Sequence, residues 1–509
     1  MSVVKKRLTV SDGLRILIER NTITTGLRWT VTAAATVFWL TFPSSARAAE
    51  PAGETLSERS SSQIREEQYF TTIEHSVAAG NRARARQAAE TNRWQFRAGG
   101  SLGSAYRYYK NIDNDAAGED FLRWSFVQDL SFWYNVAYGK AHNFSSLLQA
   151  SYVDRGVGAT YTGIGTDFEG PAHRLAFYRI NLEPDHGWPV QVTAGRQHLF
   201  AGRGVAYSGL SDGAKIEDRL GPFSQKHFVA RSRPRENNLD YSLPGFDKEG
   251  DRVFWGTETA YTGWTGTTVY AFAVVQRDQS SENTDRPGQS FHYDSEYFGV
   301  GGVALPRDTI ELWTEAVRQT GRSSTDATRT ALRRTEIDAA ALLTAIKYRP
   351  KWSLRPVFEA QYAYGSGDPD RTNVTNVLGG DTDGTDRNFL YFGYFLGGYA
   401  LQPRLSNLHV TSLGASFTPL PDHRFFGNLA LGVRGHLYRK DEAAGGTSDL
   451  ESTENDAGIG QGWDAYLHWS LRKDLVASLR YGVFTPGDAF PEGLRDDTEY
   501  FGSSLTYSF

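Results

Sequence analysis

Long runs of strict two-residue alternation constrain this chain most. In "FLRWSFVQDLSFWYNVAY", Leu122, Trp124, Phe126, Leu130, Phe132, Tyr134 and Tyr138 share one face, while Arg123, Ser125, Asp129, Ser131 and Asn135 share the other. "NRWQFRAGGSLGSAYRYY" does the same with Trp94, Phe96, Ala98, Leu102, Tyr106 and Tyr108. Side chains that alternate faces mark a strand. Strands this long exceed the five or six residues usual in soluble sheets. They carry aromatics at both ends, as the interfacial girdles of a membrane barrel require.

Composition fits that reading and excludes others. Hydrophobic residues make up 39% while aromatics reach 13%, with 52 Gly and a mean hydropathy of −0.47. Such a chain is too polar for a helical membrane protein and too aromatic for a disordered one. Only every second residue of a transmembrane barrel meets lipid, which reconciles the two figures. Cysteine is absent, which excludes disulfides, thiolate catalysis and Cys-based zinc sites.

The first 48 residues read as an export signal. A basic leader (Lys5, Lys6, Arg7, Arg15, Arg20, Arg28) precedes the apolar run Trp29 to Phe42, and Ala46-Arg47-Ala48 offers a small-x-small cleavage site. The apolar run is too short to span a bilayer core of about 30 Å. Cleavage there leaves 47 basic and 57 acidic residues, a net charge of −10. Past it, no apolar stretch approaches a spanning helix, so membrane insertion requires a closed sheet, which satisfies every backbone group within lipid.

Residues 49–91 are charged and Ala-rich, with a loose helical pattern, and read as a partly helical periplasmic extension. From 92 to 509 the alternation predicts a single antiparallel barrel of eighteen strands: 92–109, 121–138, 142–155, 172–183, 189–200, 213–219, 226–233, 250–262, 265–278, 291–304, 308–320, 334–348, 352–366, 407–418, 425–439, 461–473, 475–485 and 496–509. The segments 213–219 and 226–233 carry the weakest pattern. "NFLYFGYFLGGYALQPRL" (388–405) resembles a strand, but counting it breaks both the even number and the short–long alternation of connections. It is therefore assigned to one outer loop, 367–406, folded over or into the lumen. At the chain end, Leu505, Tyr507 and Phe509 are expected to face lipid, with Ser504, Thr506 and Ser508 toward the lumen and the strand closing against 92–109. That terminal aromatic resembles the signal read by the barrel insertion machinery.

Parity also assigns lumen charges. Inward bases are Arg93, Arg97, Arg107, Arg123, Arg155, Arg179, Lys347, Arg434 and Arg480, against the inward acids Asp129, Glu258, Glu359 and Asp464. A basic bore in a net-acidic protein points to anion selectivity, with carboxylates passing between guanidinium groups. Inward Tyr109, Trp133, Phe177 and Tyr466 offer platforms for pyranose rings. The competing reading is a set of Arg–carboxylate ladders that only stiffen the wall. A hydrolase built on Asp464, His468 and Ser478 has the right residue types, but Asp464 and His468 lie about 13 Å apart along one strand at 3.3 Å per residue. "DNDAAGED" and "GGDTDGTD" could bind calcium through oxygen ligands; no other cofactor is expected.

Several stretches then resemble the alginate export porin family: "GRQHL" (195–199), "YAYGSG" (362–367), "RLSNLHV" (404–410), "IGQGWD" (459–464) and "YGVFTPGDAF" (481–490). The resemblance implies an eighteen-stranded outer-membrane barrel of a Gram-negative bacterium that exports an acidic exopolysaccharide through an arginine-lined constriction. Arg480 matches one family arginine by position. Arg196, in "GRQ", and Arg404, near "LSNL", are further candidates, although Arg196 shares parity with Val190, Val192 and Ala194. Where the family carries a long periplasmic loop, this chain has only "LRKDL". Expected partners are the anionic polysaccharide, outer-membrane lipid, the insertion machinery and periplasmic secretion proteins, with no nucleic acid. The alternative function is an uptake or general-diffusion porin for small anions.

Overall fold

A computed structural model describes residues 93–111, 123–157, 165–182, 189–232, 251–279, 293–325, 333–371, 384–449 and 451–509. The expected signal segment, the 49–91 extension and "DNDAAGED" lie outside these residues. The first strands are β1 (Trp94–Lys110), β2 (Arg123–Tyr138), β3 (His142–Val157), β4 (Gly165–Leu182), β5 (Val190–Ala201), β6 (Tyr207–Leu220), β7 (Phe223–Ser232), β8 (Arg252–Trp264) and β9 (Thr267–Asp278). They are followed by β10 (Asp294–Arg307), β11 (Ile310–Thr325), β12 (Arg333–Tyr348), β13 (Val357–Gly365), β14 (Leu408–Phe417), β15 (Leu429–Arg439), β16 (Gly458–Arg472), β17 (Leu475–Pro486) and β18 (Thr498–Ser508). Each strand pairs antiparallel with its neighbours, and β18 pairs with β1 from Ser101↔Ser508 to Lys110↔Glu499, closing an eighteen-stranded barrel. Phe509 extends that closure by exchanging backbone bonds with Gly100 at 2.8 and 2.9 Å.

The outer surface carries the apolar parity. Trp94, Phe96, Leu102, Leu130, Phe132, Leu505, Tyr507 and Phe509 are all exposed, as lipid-facing side chains of an isolated barrel should be. Two-residue turns such as 221–222, 265–266, 308–309 and 473–474 sit on the rim that carries the end of β18, and the long connections sit on the opposite rim.

An eighteen-stranded ring is too wide for wall side chains to meet across it. Two chain segments enter the lumen instead. The first is the β5–β6 hairpin. Within the described residues β5 pairs with β4 only from Val190 to Arg196, and β6 pairs with β7 only from Ser211 onward, so the tip between them stands away from the wall. It leaves at Gly195, whose φ of +122° favours glycine. The Gly202 N–H donates to Glu258 on β8 (2.8 Å) and the Arg203 N–H to Glu315 on β11 (2.7 Å). The Arg203 guanidinium lies 4.0 Å from the Trp313 ring centre. These contacts carry the hairpin across the bore. They also explain why sequence periodicity shortens β6: its first residues have protein on both faces rather than lipid on one.

The second segment is the loop 366–407. Its described residues, 366–371 and 384–407, contribute no strand, as expected for 388–405, and the apolar run 389–392 is buried in the lumen. Phe389, Leu390, Tyr391 and Phe392 are each at most 4% exposed. Backbone groups carried away from a sheet must find partners, and here the wall supplies them. Gln319 accepts from the Leu390 N–H (3.1 Å) and the Tyr297 hydroxyl donates to the Leu390 carbonyl (2.7 Å). The Phe392 N–H donates to the Ala206 carbonyl and the Tyr394 N–H to the Gly204 carbonyl, so the loop pairs with the hairpin. Together with inward residues of β5–β17, the two insertions form one apolar core that includes Tyr207, Phe254, Phe272, Tyr297, Phe392 and Phe484.

Candidate functional site

Among the described residues, strands β18 and β1–β4 contribute nothing to that core. Many of their inward positions are polar or small, among them Ser101, Ser131, Asn135 and Ser151, interspersed with Val127, Val153, Tyr109 and Tyr500 and with a satellite cluster in which Leu147 and Leu175 meet Leu210 of β6, Trp133 and Phe177. The bore is therefore lined asymmetrically, with Arg107, Arg123 and Arg155 on the side outside the main core and Arg480 on β17 beside it.

Their register is regular. Tyr466 on β16 stands beside Arg480 on β17, followed by Gly502 on β18, Arg107 on β1, Ser125 on β2 and Arg155 on β3. Arginine thus occupies every second strand of one rung, about 9.5 Å apart at the backbone, with a small residue between. The side chain of Arg155 lies outside what is described. On the adjoining rung Asp464, Gly482, Tyr500, Tyr109 and Arg123 follow in turn. The Tyr109 and Tyr500 rings are 4.9 Å apart. Arg480 lies 5.7 Å from the Tyr399 ring centre, and Arg179 lies 5.4 Å from that of Phe177 while facing the Thr193 hydroxyl. Arg97 reaches Gln95 at 3.5 Å; Arg93 is exposed one residue ahead of β1.

Other expected lumen charges are committed to structure. Glu359 accepts from Arg434 (2.8 Å) and faces Lys347 (3.5 Å), the neutralising ladder of the competing reading. Glu258 accepts from Lys226 (2.9 Å) as well as from the hairpin N–H of Gly202. Asp129 accepts from Gln149 and Ser151. Asp464, 7% exposed, accepts the Tyr399 N–H (3.1 Å) on one oxygen and faces His436 Nε2 (3.0 Å) on the other.

Two candidates stand away from the arginine row. Arg196 keeps the outward parity of β5 and forms a paired contact with Asp212 at 2.7 and 2.9 Å. The positive φ at Gly195 redirects the hairpin without turning Arg196 into the row. Arg404 donates to the Tyr391 carbonyl at 2.6 Å with its guanidinium over the Tyr391 ring, so it braces the loop. Asp386, in the described part of "GGDTDGTD", is buried against Arg371 at 3.1 Å.

Parity missed Arg174. Leu147 pairs with Leu175 while Leu148 pairs with His173, a bulge that shifts the register at Arg174 and turns it to Gln149 on the lumen side. Sequence also missed a hydrogen-bonded chain across β14, β15 and β16. Ser412 Oγ lies 2.8 Å from His436 Nδ1, and His436 Nε2 meets Asp464. This is not the trio read from sequence, since Ser478 bonds to Ser504 instead. All three residues of the chain are under 10% exposed, and Gly398 of the loop packs against His436 and Tyr438. The chain ties the loop to the wall through the Asp464 contact with the Tyr399 N–H.

A closed barrel with polar residues and insertions in its bore defines a transmembrane channel. Residues 161–503 match the alginate export family, and this chain belongs to that family. All five stretches quoted from the sequence fall inside the match. Among solved structures, the chain is similar to OccK5 (OpdH) of Pseudomonas aeruginosa, at 12% identity over 82% of this chain and 98% of that one, with a TM-score of 0.48. It is likewise similar to the outer membrane protein OprD of Pseudomonas aeruginosa, at 12% identity over 83% and 96%, with a TM-score of 0.46. No curated protein matches the chain. Family and fold together make it an outer-membrane porin, a transport channel.

Proposed function

We propose that this porin exports an acidic exopolysaccharide, alginate or alginate-like, across the outer membrane of a Gram-negative bacterium. The observation that carries the reading is the rung on which Arg480, Arg107 and Arg155 alternate with Gly502 and Ser125. Arginine repeated at one level of a narrow bore favours anions, and its planar fork suits carboxylates. Half-buried Trp133 and Phe177 supply flat surfaces for sugar rings on the same side of the bore. The porin does no chemistry. Synthesis on the inner side drives the polymer outward, and a periplasmic secretion partner delivers it to the short-turn rim.

Deleting the gene tests the proposal. Loss of secreted polymer with acidic glycan accumulating in the periplasm is expected; normal secretion with slowed uptake of small organic acids would overturn it. That second outcome fits the alternative, a porin for small anions, which the apolar filling of part of the bore favours.

A further inference from the structure

The lipid-facing wall is hollowed on one arc. Near the short-turn rim of β1 and β2 the outward positions hold bulky Trp94, Phe96, Tyr134 and Tyr138. Across β9–β14 one outward rung instead runs Val269, Gly302, Thr314, Thr344, Tyr362 and Thr411. A groove of about 610 Å³ opens there, and the exposed side chains of Val269, Leu312, Ile346 and Leu413 in its lining place it on the outer face. That volume falls within the range of about 300–1,000 Å³ typical of small-molecule sites. Its floor is apolar despite the threonines. The Thr314 hydroxyl donates to the Leu343 carbonyl (3.3 Å) and the Thr344 hydroxyl to the Trp313 carbonyl (3.2 Å), which leaves methyl groups to line the groove.

The adjoining rim is basic in a net-acidic protein. Segments 305–311, 349–356 and 418–428 carry five bases, Arg307, Arg349, Lys351, Arg355 and Arg424, against three acids, Asp308, Glu311 and Asp422. Glu311 accepts from Arg349 at 2.8 Å. Lys351–Asp308 (3.8 Å) and Arg355–Asp422 (3.9 Å) are loose pairs between side chains at least 62% exposed, and such pairs hold their partners weakly. Exposed Arg307 has no carboxylate partner among the described residues. Exposed Tyr348, Trp352 and Phe358 mark the headgroup level on the same strands, with the Phe358 ring 6.4 Å from Tyr348 and 6.1 Å from Trp352. Ile346 and Thr344 lie further along β12 from Tyr348, about 7 and 13 Å at 3.3 Å per residue. The groove therefore sits at acyl-chain depth, within one leaflet of a core about 30 Å thick.

We propose that this groove binds an acyl chain of an anionic phospholipid of the periplasmic leaflet, with the lipid phosphate on Arg307 and Lys351. The chain lies against the threonine methyls. The phosphate accepts from the Arg307 guanidinium, and the Lys351 ammonium supplies a second charge. The site is on the outer wall, so it is independent of what the bore transports.

Native mass spectrometry of the purified full chain tests this, with dioleoyl phosphatidylglycerol and dioleoyl phosphatidylcholine as probes. One phosphatidylglycerol per barrel is expected to be retained at about tenfold lower concentration than phosphatidylcholine, the preference that two surface cations provide. Thr314→Phe combined with Thr344→Phe fills the floor with rings that face lipid, and should weaken retention of both lipids several-fold. Arg307→Gln combined with Lys351→Gln should bring phosphatidylglycerol down to the phosphatidylcholine level and leave phosphatidylcholine unchanged. Glycerol phosphate, which has the phosphate without the chain, should not compete; competition by it would reduce the site to a phosphate contact and overturn the lipid. The variants are compared as barrels that migrate as folded on unheated gels. Equal retention by the unmodified chain and the phenylalanine pair would overturn the groove and leave only ordinary surrounding lipid. Equal retention of the two lipids by the unmodified chain would overturn the phosphate site. Dimers that form in the unmodified chain and vanish in the phenylalanine pair would assign the groove to a second copy instead.

Discussion

The two sides of this bore solve the same geometric problem in opposite ways. Along much of the arc from β5 to β17, inward residues are apolar and rest on inserted chain, so lumen space becomes protein core. Along β18 and β1–β4, inward residues mix small, polar and cationic side chains with Tyr109, Tyr500 and the satellite cluster, and Arg107 and Arg155 of the arginine rung lie there, next to Arg480 on β17. The difference shows that a wide barrel need not be uniform. Filling one side supplies stability and narrows the passage, which leaves the other side free to be built for charge.

Substitutions on the two sides should therefore fail differently. Phe392→Ala in the packed side should cost about 3–5 kcal/mol, the usual range for emptying a buried aromatic site, read by urea unfolding. Equal loss of stability from Arg107→Gln would erase the distinction between the sides. Gly195→Val forces a β-branched residue into φ +122° and should cost about 1–3 kcal/mol while loosening the hairpin, seen as earlier unfolding with raised conductance. Arg107→Gln combined with Arg480→Gln should change stability by less than about 1 kcal/mol yet shift the reversal potential toward cations. An unmoved potential would remove the rung from the ion path. The smallest effect is expected from Glu359→Gln, which frees Lys347 and Arg434 from their shared acid and should raise anion preference slightly.

The same contrast explains what the sequence could reveal. Where one strand face meets lipid and the other meets polar lumen, as in β1 and β2, alternation is plain and the inward residues follow from it, including Arg107 and Arg123. Where both faces meet protein the pattern fades. The start of β6 was illegible for that reason, and the run 388–405 mimicked a strand because its apolar residues pack in the lumen without joining the wall. Parity fails wherever the ladder slips by one residue, which hid Arg174 behind the bulge opposite Leu147 and Leu148. The Ser412–His436–Asp464 chain was also invisible, because it joins three strands through register that spacing along one strand does not encode. Conversely, Glu258, Glu359 and Asp464 were placed inward by their parity, but only the structure showed them tethering the hairpin, the wall and the loop.

Inserted chain in a lumen also acts as bracing. The strands that rest on the hairpin and the loop cannot bend without disturbing a close-packed core, and such cores compress poorly. Strands β18 and β1–β4 have less behind them: the satellite cluster, and the loop contacts of Gln402 with Tyr109 and of Tyr399 with Tyr500. Stiffness around the ring is consequently uneven, with a rigid spine and a compliant flank. When a bulky chain segment passes or the bilayer squeezes the barrel, the deformation will fall on the flank that carries the arginine rung, so membrane tension and cargo size both act where the charges stand.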